Sequence, residues 1–360
     1  MLKQELKKVF IKRRFLIVFL ALMAAQAIFL TVSAGREGLA GFDKETYEHF
    51  VQTYRGELTE EKSERLKTVF LYLESADEAL MFGEAYYQSG EYSREAFLQL
   101  QSELSQYVSG RTGLNVFREQ CEYAAAKPGR QIVNGEAWKE IFSNESADIV
   151  CVLAIIIYTV SAYVAENETN FTLLRLSAPK GKRSLYRLEL ALGMGTAAAF
   201  SLVCSALRFL IAAAKWPLRN LDAPLESLPL FENTAFGGSL LQGYLAVTLL
   251  KMLGAMAFCA LCFILGNLLA TSVSVLLAGL LSVVLPQYLL RDARIYYFSP
   301  VSLLRGTGFL FGSVIIEEEG ALPFVESEAA GPLALPASLC LAAAITVTAF
   351  LYCKKRGRAT

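Results

Sequence analysis

One uninterrupted apolar stretch constrains this chain more than any other feature. Residues 240–290 contain a single charged side chain, Lys251. A bilayer core about 30 Å thick is crossed by roughly 20 residues of helix, so this stretch is too long for one span and suits a hairpin of two. The polar segment GNLLATS at 266–272 is the natural turn between them. The sequence therefore predicts an integral membrane protein.

Four further apolar runs raise the expected number of membrane spans to six. They cover residues 15–33, 149–165, 190–214 and 333–353. The first follows the basic segment KKVFIKRR, as a secretory signal would, but it exceeds the usual apolar region of about 7–15 residues, so we expect a retained span. Asp148 and Glu166 bound the second run, and Gly193 and Gly195 in the third are small residues that let helices approach closely in lipid.

Basic residues in the flanking segments predict the orientation. They precede the first span (Lys3, Lys7, Lys8, Lys12, Arg13, Arg14), follow the second (Arg175, Lys180, Lys182, Arg183, Arg187) and follow the sixth (Lys354, Lys355, Arg356, Arg358). In a six-span arrangement all three segments fall on one side, which is the cytoplasmic side because lysine and arginine are retained there. We therefore expect a multi-pass plasma-membrane protein with both termini in the cytoplasm.

This topology divides the chain into three regions. Residues 1–33 form the basic start and first span, 34–147 an exported domain, and 148–360 the remaining spans with a cytoplasmic loop at 166–188 and a basic tail. Apolar residues of the exported region recur at helical spacing in two sets: Leu66, Val69, Phe70, Leu73, and Phe97, Leu100, Leu104, Val108. The predicted fold class is an all-α polytopic membrane protein with six transmembrane helices and a mostly helical extracytoplasmic domain between the first two.

Catalytic and ligand-binding signals are weak. The 34 basic and 34 acidic residues cancel, so the composition gives no reason to expect a nucleic-acid partner. Cys259 and Cys262 form a CxxC within an apolar run, with no second pair and no nearby histidine, and the lone His49 is expected to face solvent. We expect no metal, no cofactor and no catalytic residue. Three ionisable residues in or beside spans argue against an intramembrane enzyme because each is isolated and expected near an interface: Glu189, Arg208, Lys251.

The loop ENETNFTLLRLSAPKGKRSLYRL at 166–188 is the most informative segment. It is basic and follows a span directly, with acidic residues at its start. Residues 172–177 can form a short helix with one apolar face, ended by Pro179 and Gly181. Such a helix fits two roles equally well: a docking element for a partner protein, or a helix lying in the plane of the lipid headgroups.

The same loop resembles a segment of the permease subunits of type-2 ATP-binding-cassette (ABC) exporters. In that family an acidic residue, Gly-Thr, Leu-Leu, proline and arginine follow one another in a cytoplasmic coupling helix that docks on an ATPase subunit. The matching positions here are Glu166 or Glu168, Thr172, Leu173, Leu174, Pro179 and Arg183, while Asn170 or Phe171 replaces the glycine. The layout is also similar, with a large exported region after the first span and YYFSPVSLL at 296–304 ahead of the last.

The resemblance implies a permease that forms the transport pathway as a dimer with a second copy or a paralogue. Leu173 and Leu174 would anchor a separate ATPase subunit, with Arg175, Lys182 and Arg183 orienting it at the rim. No GxxxxGK[ST] phosphate loop occurs in the chain, so ATP hydrolysis is expected on the partner. The transported substrate does not follow from the sequence. A membrane-anchored sensor or assembly factor, with a ligand-binding exported domain, is the alternative.

Overall fold

The computed structural model describes residues 15–33, 44–109, 111–142, 148–165, 182–269, 271–289, 300–310 and 333–359, and these residues are mostly helical. In chain order the helices are Phe15–Ser33 (α1), Lys44–Tyr54 (α2), Glu60–Gln88 (α3), Arg94–Ser109 (α4), Arg111–Ala125 (α5), Gly135–Phe142 (α6), Ile149–Thr159 (α7), Lys182–Lys215 (α8), Leu240–Leu268 (α9), Ser272–Leu289 (α10) and Ala334–Ala359 (α11). Two-residue strands at Gly56–Glu57 (β1) and Gln131–Ile132 (β2) pair antiparallel.

Every predicted apolar run forms a helix. Three of these helices, α8, α9 and α11, are long and apolar enough to cross a membrane, whereas α1, α7 and α10 contain shorter apolar segments. The chain is therefore a helical protein of membrane type. The turn expected at 266–272 lies between the end of α9 and the start of α10. A single π-helical turn, Val160–Val164, continues α7 beyond Thr159.

The apolar bundle, consisting of α1 and α7 to α11, packs around α8 and α9. Its largest buried cluster joins side chains of α1, α7, α8, α9 and α10. The small-residue prediction is confirmed at Gly193, where an added Cβ would lie 3.1 Å from the Cys259 sulfur. At Gly195 the same atom would meet nothing within 4 Å, so this glycine makes no close approach to another described residue. Only one of the two glycines therefore brings helices together within the described chain.

Residues 44–142 form a mostly helical domain, as predicted. Its core contains Tyr47, Phe117 and Ile132, all fully buried, and Leu66 from the predicted apolar face of α3. The Tyr47 hydroxyl donates to Gln120 Oε1 at 3.1 Å and accepts from the Gly135 backbone N–H at 3.1 Å. Burial raises the pKa of Tyr47 well above its usual range, so the hydroxyl stays protonated and keeps donating.

Domain 44–142 rests on the connection between α8 and α9. Arg130, which is buried, pairs with Glu232 at 2.9 Å, and the Tyr123 hydroxyl donates to the Glu226 carbonyl at 3.0 Å. At the end of α8, Lys215 Nζ lies 2.9 Å from Glu140 Oε1 and donates to the Leu30 carbonyl at 3.1 Å. The end of α1, domain 44–142 and the α8–α9 connection therefore lie at one end of the apolar bundle.

The last residues of α7 and the first residues of α8, which flank residues 166–181, lie at the opposite end of the bundle. The rings of Tyr163 and Tyr186 contact each other with centroids 6.2 Å apart, which joins the end of α7 to the start of α8. The Tyr163 hydroxyl also donates to Asn267 near the end of α9. The chain consequently leaves α7 and enters α8 at the end remote from domain 44–142.

Candidate functional site

Lys251 lies inside the apolar bundle, three turns from the start of α9, and is only 9% exposed. This burial comes from its surroundings: α9 is enclosed by α7, α8 and the 3₁₀ segment Pro300–Leu304, which hydropathy along one helix does not reveal. Its depth relative to the membrane interface stays a prediction. Burying a charged side chain in a membrane protein is costly. Lys251 is therefore a candidate functional residue, and the groups that interact with it are described next.

Asp148 approaches Lys251 from the start of α7. Its Oδ1 atom accepts from the Cys151 backbone N–H at 3.3 Å, the N-cap interaction that begins this helix. Its Oδ2 atom accepts from the side-chain amide of Gln26 at 3.0 Å, so α1 also holds the carboxylate. Because both of its oxygens accept hydrogen bonds, the carboxylate of Asp148 is fixed in position beside Lys251 and Arg208.

Arg208 of α8 completes a polar cluster consisting of Gln26, Asp148, Arg208 and Lys251. Asp148 interacts electrostatically with both cations, and Arg208 with Lys251. Neither cation forms an ion pair with a carboxylate of the described residues. The nearby Glu140 is already paired with Lys215 at 2.9 Å. Arg208 and Lys251 therefore share Asp148, Arg208 also interacts electrostatically with Glu140, and neither cation is isolated as the sequence suggested.

A small cavity opens beside the cluster and has room for about one water molecule. Its walls come from α7, α8, α9 and the segment before α11: Asp148, Cys151, Ser201, Cys204, Ser205, Lys251 and Leu304. The thiols of Cys151 and Cys204 lie next to each other in this wall. The hydroxyls of Ser201 and Ser205 make no side-chain hydrogen bond to any described residue, and both residues are buried at the cavity.

Irregular backbone closes one side of this cavity. Residues 300–310 form two short 3₁₀ turns that pack against the first half of α9. Gly254 permits the approach, because an added Cβ would lie 2.8 Å from the backbone of Leu303 and Leu304. Gly306 has a φ of 72° and would bring a Cβ within 3.0 Å of the Val247 carbonyl. Non-helical backbone is tolerated in a membrane protein where it is buried in protein or lines a cavity. Residues 302–304 are buried, and Leu304 lines the cavity.

The residues predicted to contact an ATPase lie mostly outside the described residues. This applies to Glu166, Glu168, Thr172, Leu173, Leu174, Arg175 and Pro179. Lys182 and Arg183 are not in a loop but begin α8, so the connection between α7 and α8 is shorter than predicted. His49 is exposed, as expected, and Cys259 and Cys262 are buried. Among the described residues no group of three or more His, Cys, Asp or Glu could hold a metal ion.

Comparison with known proteins assigns no family to this arrangement. No family profile matches the chain, and no curated protein or solved structure matches it either. The polar cluster and the ends of α7 and α8 are therefore the features from which a function can be argued.

Proposed function

We propose that this protein is the membrane-spanning permease subunit of an ABC-type exporter that works with a separate ATPase. The observation that carries the proposal is where α7 ends and α8 begins, at the end of the bundle remote from domain 44–142. The sequence at 166–183 has the apolar pair, proline and basic residues of a coupling helix. In this proposal the six apolar helices all span the plasma membrane, and both termini lie in the cytoplasm.

Helix α8 offers a direct route for coupling. Its 34 residues extend about 51 Å at 1.5 Å per residue, which exceeds the roughly 30 Å of a bilayer core. The helix starts at the end of segment 166–183, passes the polar cluster at Arg208 and ends at Lys215 against Glu140 of domain 44–142. Movement of the segment by an ATPase would therefore reach the cluster and the exported domain through one continuous helix.

We predict that the double change Leu173→Ala and Leu174→Ala releases the ATPase from the purified complex. Apolar anchors carry most of the energy of an interface, and truncating one typically costs about 2 kcal/mol or more, whereas rim charges chiefly change the association rate. Co-purification with the ATPase should be lost while the amount of permease in the membrane is unchanged. Arg183→Ala is the control and should retain most of the ATPase. Full retention by the double variant, or an ATPase that never co-purifies with the wild type, would refute the proposal.

We predict that a cysteine introduced at Ser93 reacts with an impermeant maleimide in intact cells, whereas one at Ser184 reacts only after permeabilisation. Ser93 lies in domain 44–142 and is exposed, and Ser184 lies in the first turn of α8. The native thiol of this domain adds little background, because burial raises the pKa of Cys121 to about 12 and the thiolate is the reactive form. Labelling of Ser184→Cys with protection of Ser93→Cys would invert the topology and remove segment 166–183 from the cytoplasm.

One observation favours the alternative, a sensor or assembly factor. On α3, Tyr72, Met81 and Phe82 are more than half exposed, so domain 44–142 presents apolar surface that a ligand or partner could cover. A sensor of this kind needs no ATPase. The co-purification experiment therefore separates the two functions, since the sensor predicts no ATPase in the wild-type preparation.

A further inference from the structure

We propose that the cavity beside Lys251 binds a small monovalent anion of about the size of chloride. The proposal concerns the polar cluster alone and does not rest on the exporter function. It is carried by three properties of the described residues: their charge balance, the donors that face the cavity, and the size of the space.

The described residues leave the cluster with one more positive than negative charge. Lys251 is buried, Arg208 is partly buried, and both interact with the single carboxylate of Asp148. Buried charges are stable when they are paired, and Asp148 can neutralise only one of the two cations. Glu140 also interacts electrostatically with Arg208, but it pairs with Lys215 and accepts from the Trp216 indole at 2.9 Å, so Glu140 and Lys215 together add no net charge to the cluster. An anion beside Lys251 would bring the cluster to neutrality.

The donors around the cavity suit an anion. Lys251 supplies an ammonium group, and Ser201 and Ser205 supply two hydroxyls that no described residue accepts from. Asp148 also lines the cavity, but its two oxygens already accept from Gln26 and the Cys151 backbone. An ammonium and two hydroxyls can all donate to one anion at the same time.

The size of the cavity limits which anion can bind. With room for about one water molecule, the cavity is too small for a tetrahedral phosphate or sulfate. A lipid phosphate is excluded on the same ground. A halide is a single spherical ion that needs no particular geometry and is abundant in solution. Chloride is larger than water, so its binding requires the side chains that line the cavity to move outward slightly. We therefore assign the site to chloride or an equivalent monovalent anion.

The test compares thermal unfolding of the purified full-length protein in sodium chloride and in sodium gluconate at equal concentration. A ligand that binds only the folded state raises its melting temperature, and at saturating chloride we expect a difference of about 5 °C. Lys251→Met should abolish this difference. Asp148→Asn should increase it and lower the half-saturating chloride concentration, because the asparagine keeps the helix cap and removes the competing negative charge.

Lys215→Met is the matched control, since it removes a partly buried lysine that is already paired, and its chloride difference should equal that of the wild type. Line broadening of the ³⁵Cl NMR signal by the wild type, stronger with Asp148→Asn, gives a second readout if Lys251→Met fails to fold. Equal melting temperatures in chloride and gluconate for the wild type, as a neutral Lys251 amine would give, would overturn the proposal. So would a chloride difference that survives in Lys251→Met.

Discussion

Replacing Trp138 by alanine should lower the thermal unfolding temperature of the full-length protein by about 10 °C. Truncation of a buried tryptophan typically costs about 3–5 kcal/mol, and each kcal/mol corresponds to about 2–4 °C in a large domain. Trp138 has no exposed surface and stacks on Phe142, whose ring contacts Phe231 with centroids 4.9 Å apart. Its cluster joins α6 to the end of α8 and the start of α9, so the loss would weaken the contact between domain 44–142 and the apolar bundle.

Two control substitutions distinguish the loss of this buried cluster from the loss of an aromatic side chain in general. Tyr72→Ala removes an aromatic ring that is 66% exposed, and its unfolding temperature should match that of the wild type. Trp138→Phe should retain most of the stability, because it keeps an aromatic ring and removes an indole N–H that has no partner among the described residues. A Trp138→Ala protein as stable as the Tyr72→Ala protein would show that this cluster does not join the two parts.

Replacing Gly254 by alanine should destabilise the protein by about 1–3 kcal/mol, the usual cost of forcing extra atoms into a packed interior. The new Cβ would lie 2.8 Å from the Leu303 carbonyl carbon and the Leu304 nitrogen. Because these are backbone atoms, no side-chain rotation relieves the contact, and the 3₁₀ segment must move away from α9. Leu304 would then leave the cavity wall. The measurement is again the unfolding temperature of the purified protein.

Gly195→Ala is the matched control for this substitution. It introduces the same methyl group into a membrane-type helix, but at a position where the Cβ meets no atom within 4 Å. Alanine is the better helix former, so this variant should be as stable as the wild type or slightly more stable. If the two alanine variants unfold at the same temperature, residues 300–310 do not pack tightly on α9.

The positions of the apolar helices could be predicted because hydropathy is a local property of the chain. The first residue of α8 was less predictable, since this helix begins at Lys182, eight residues before the predicted residue 190. Polar residues such as those at 182–188 can extend a helix beyond its apolar part, and a search for apolar runs does not detect them. The helical character of domain 44–142 followed from spacing, although its contacts with the α8–α9 connection did not.

The polar cluster could not be predicted because it depends on contacts between distant segments. Asp148 was recognised only as the charged boundary of a run, although an aspartate directly before an apolar helix is also a typical N-cap. Lys251 was a visible signal, as the only charge within residues 240–290. Its burial, however, depends on α7, α8 and residues 300–310, which lie far from it in sequence.

The π-helical turn Val160–Val164 changes the direction in which the chain leaves α7. Such a turn accommodates one residue more than an α-helical turn, and each residue of an α-helix rotates the side-chain direction by about 100°. Ala165 is therefore out of phase with the residues before Thr159. A return to regular α-helical geometry at this point would rotate Ala165 by about a quarter of a revolution about the helix axis without breaking the helix.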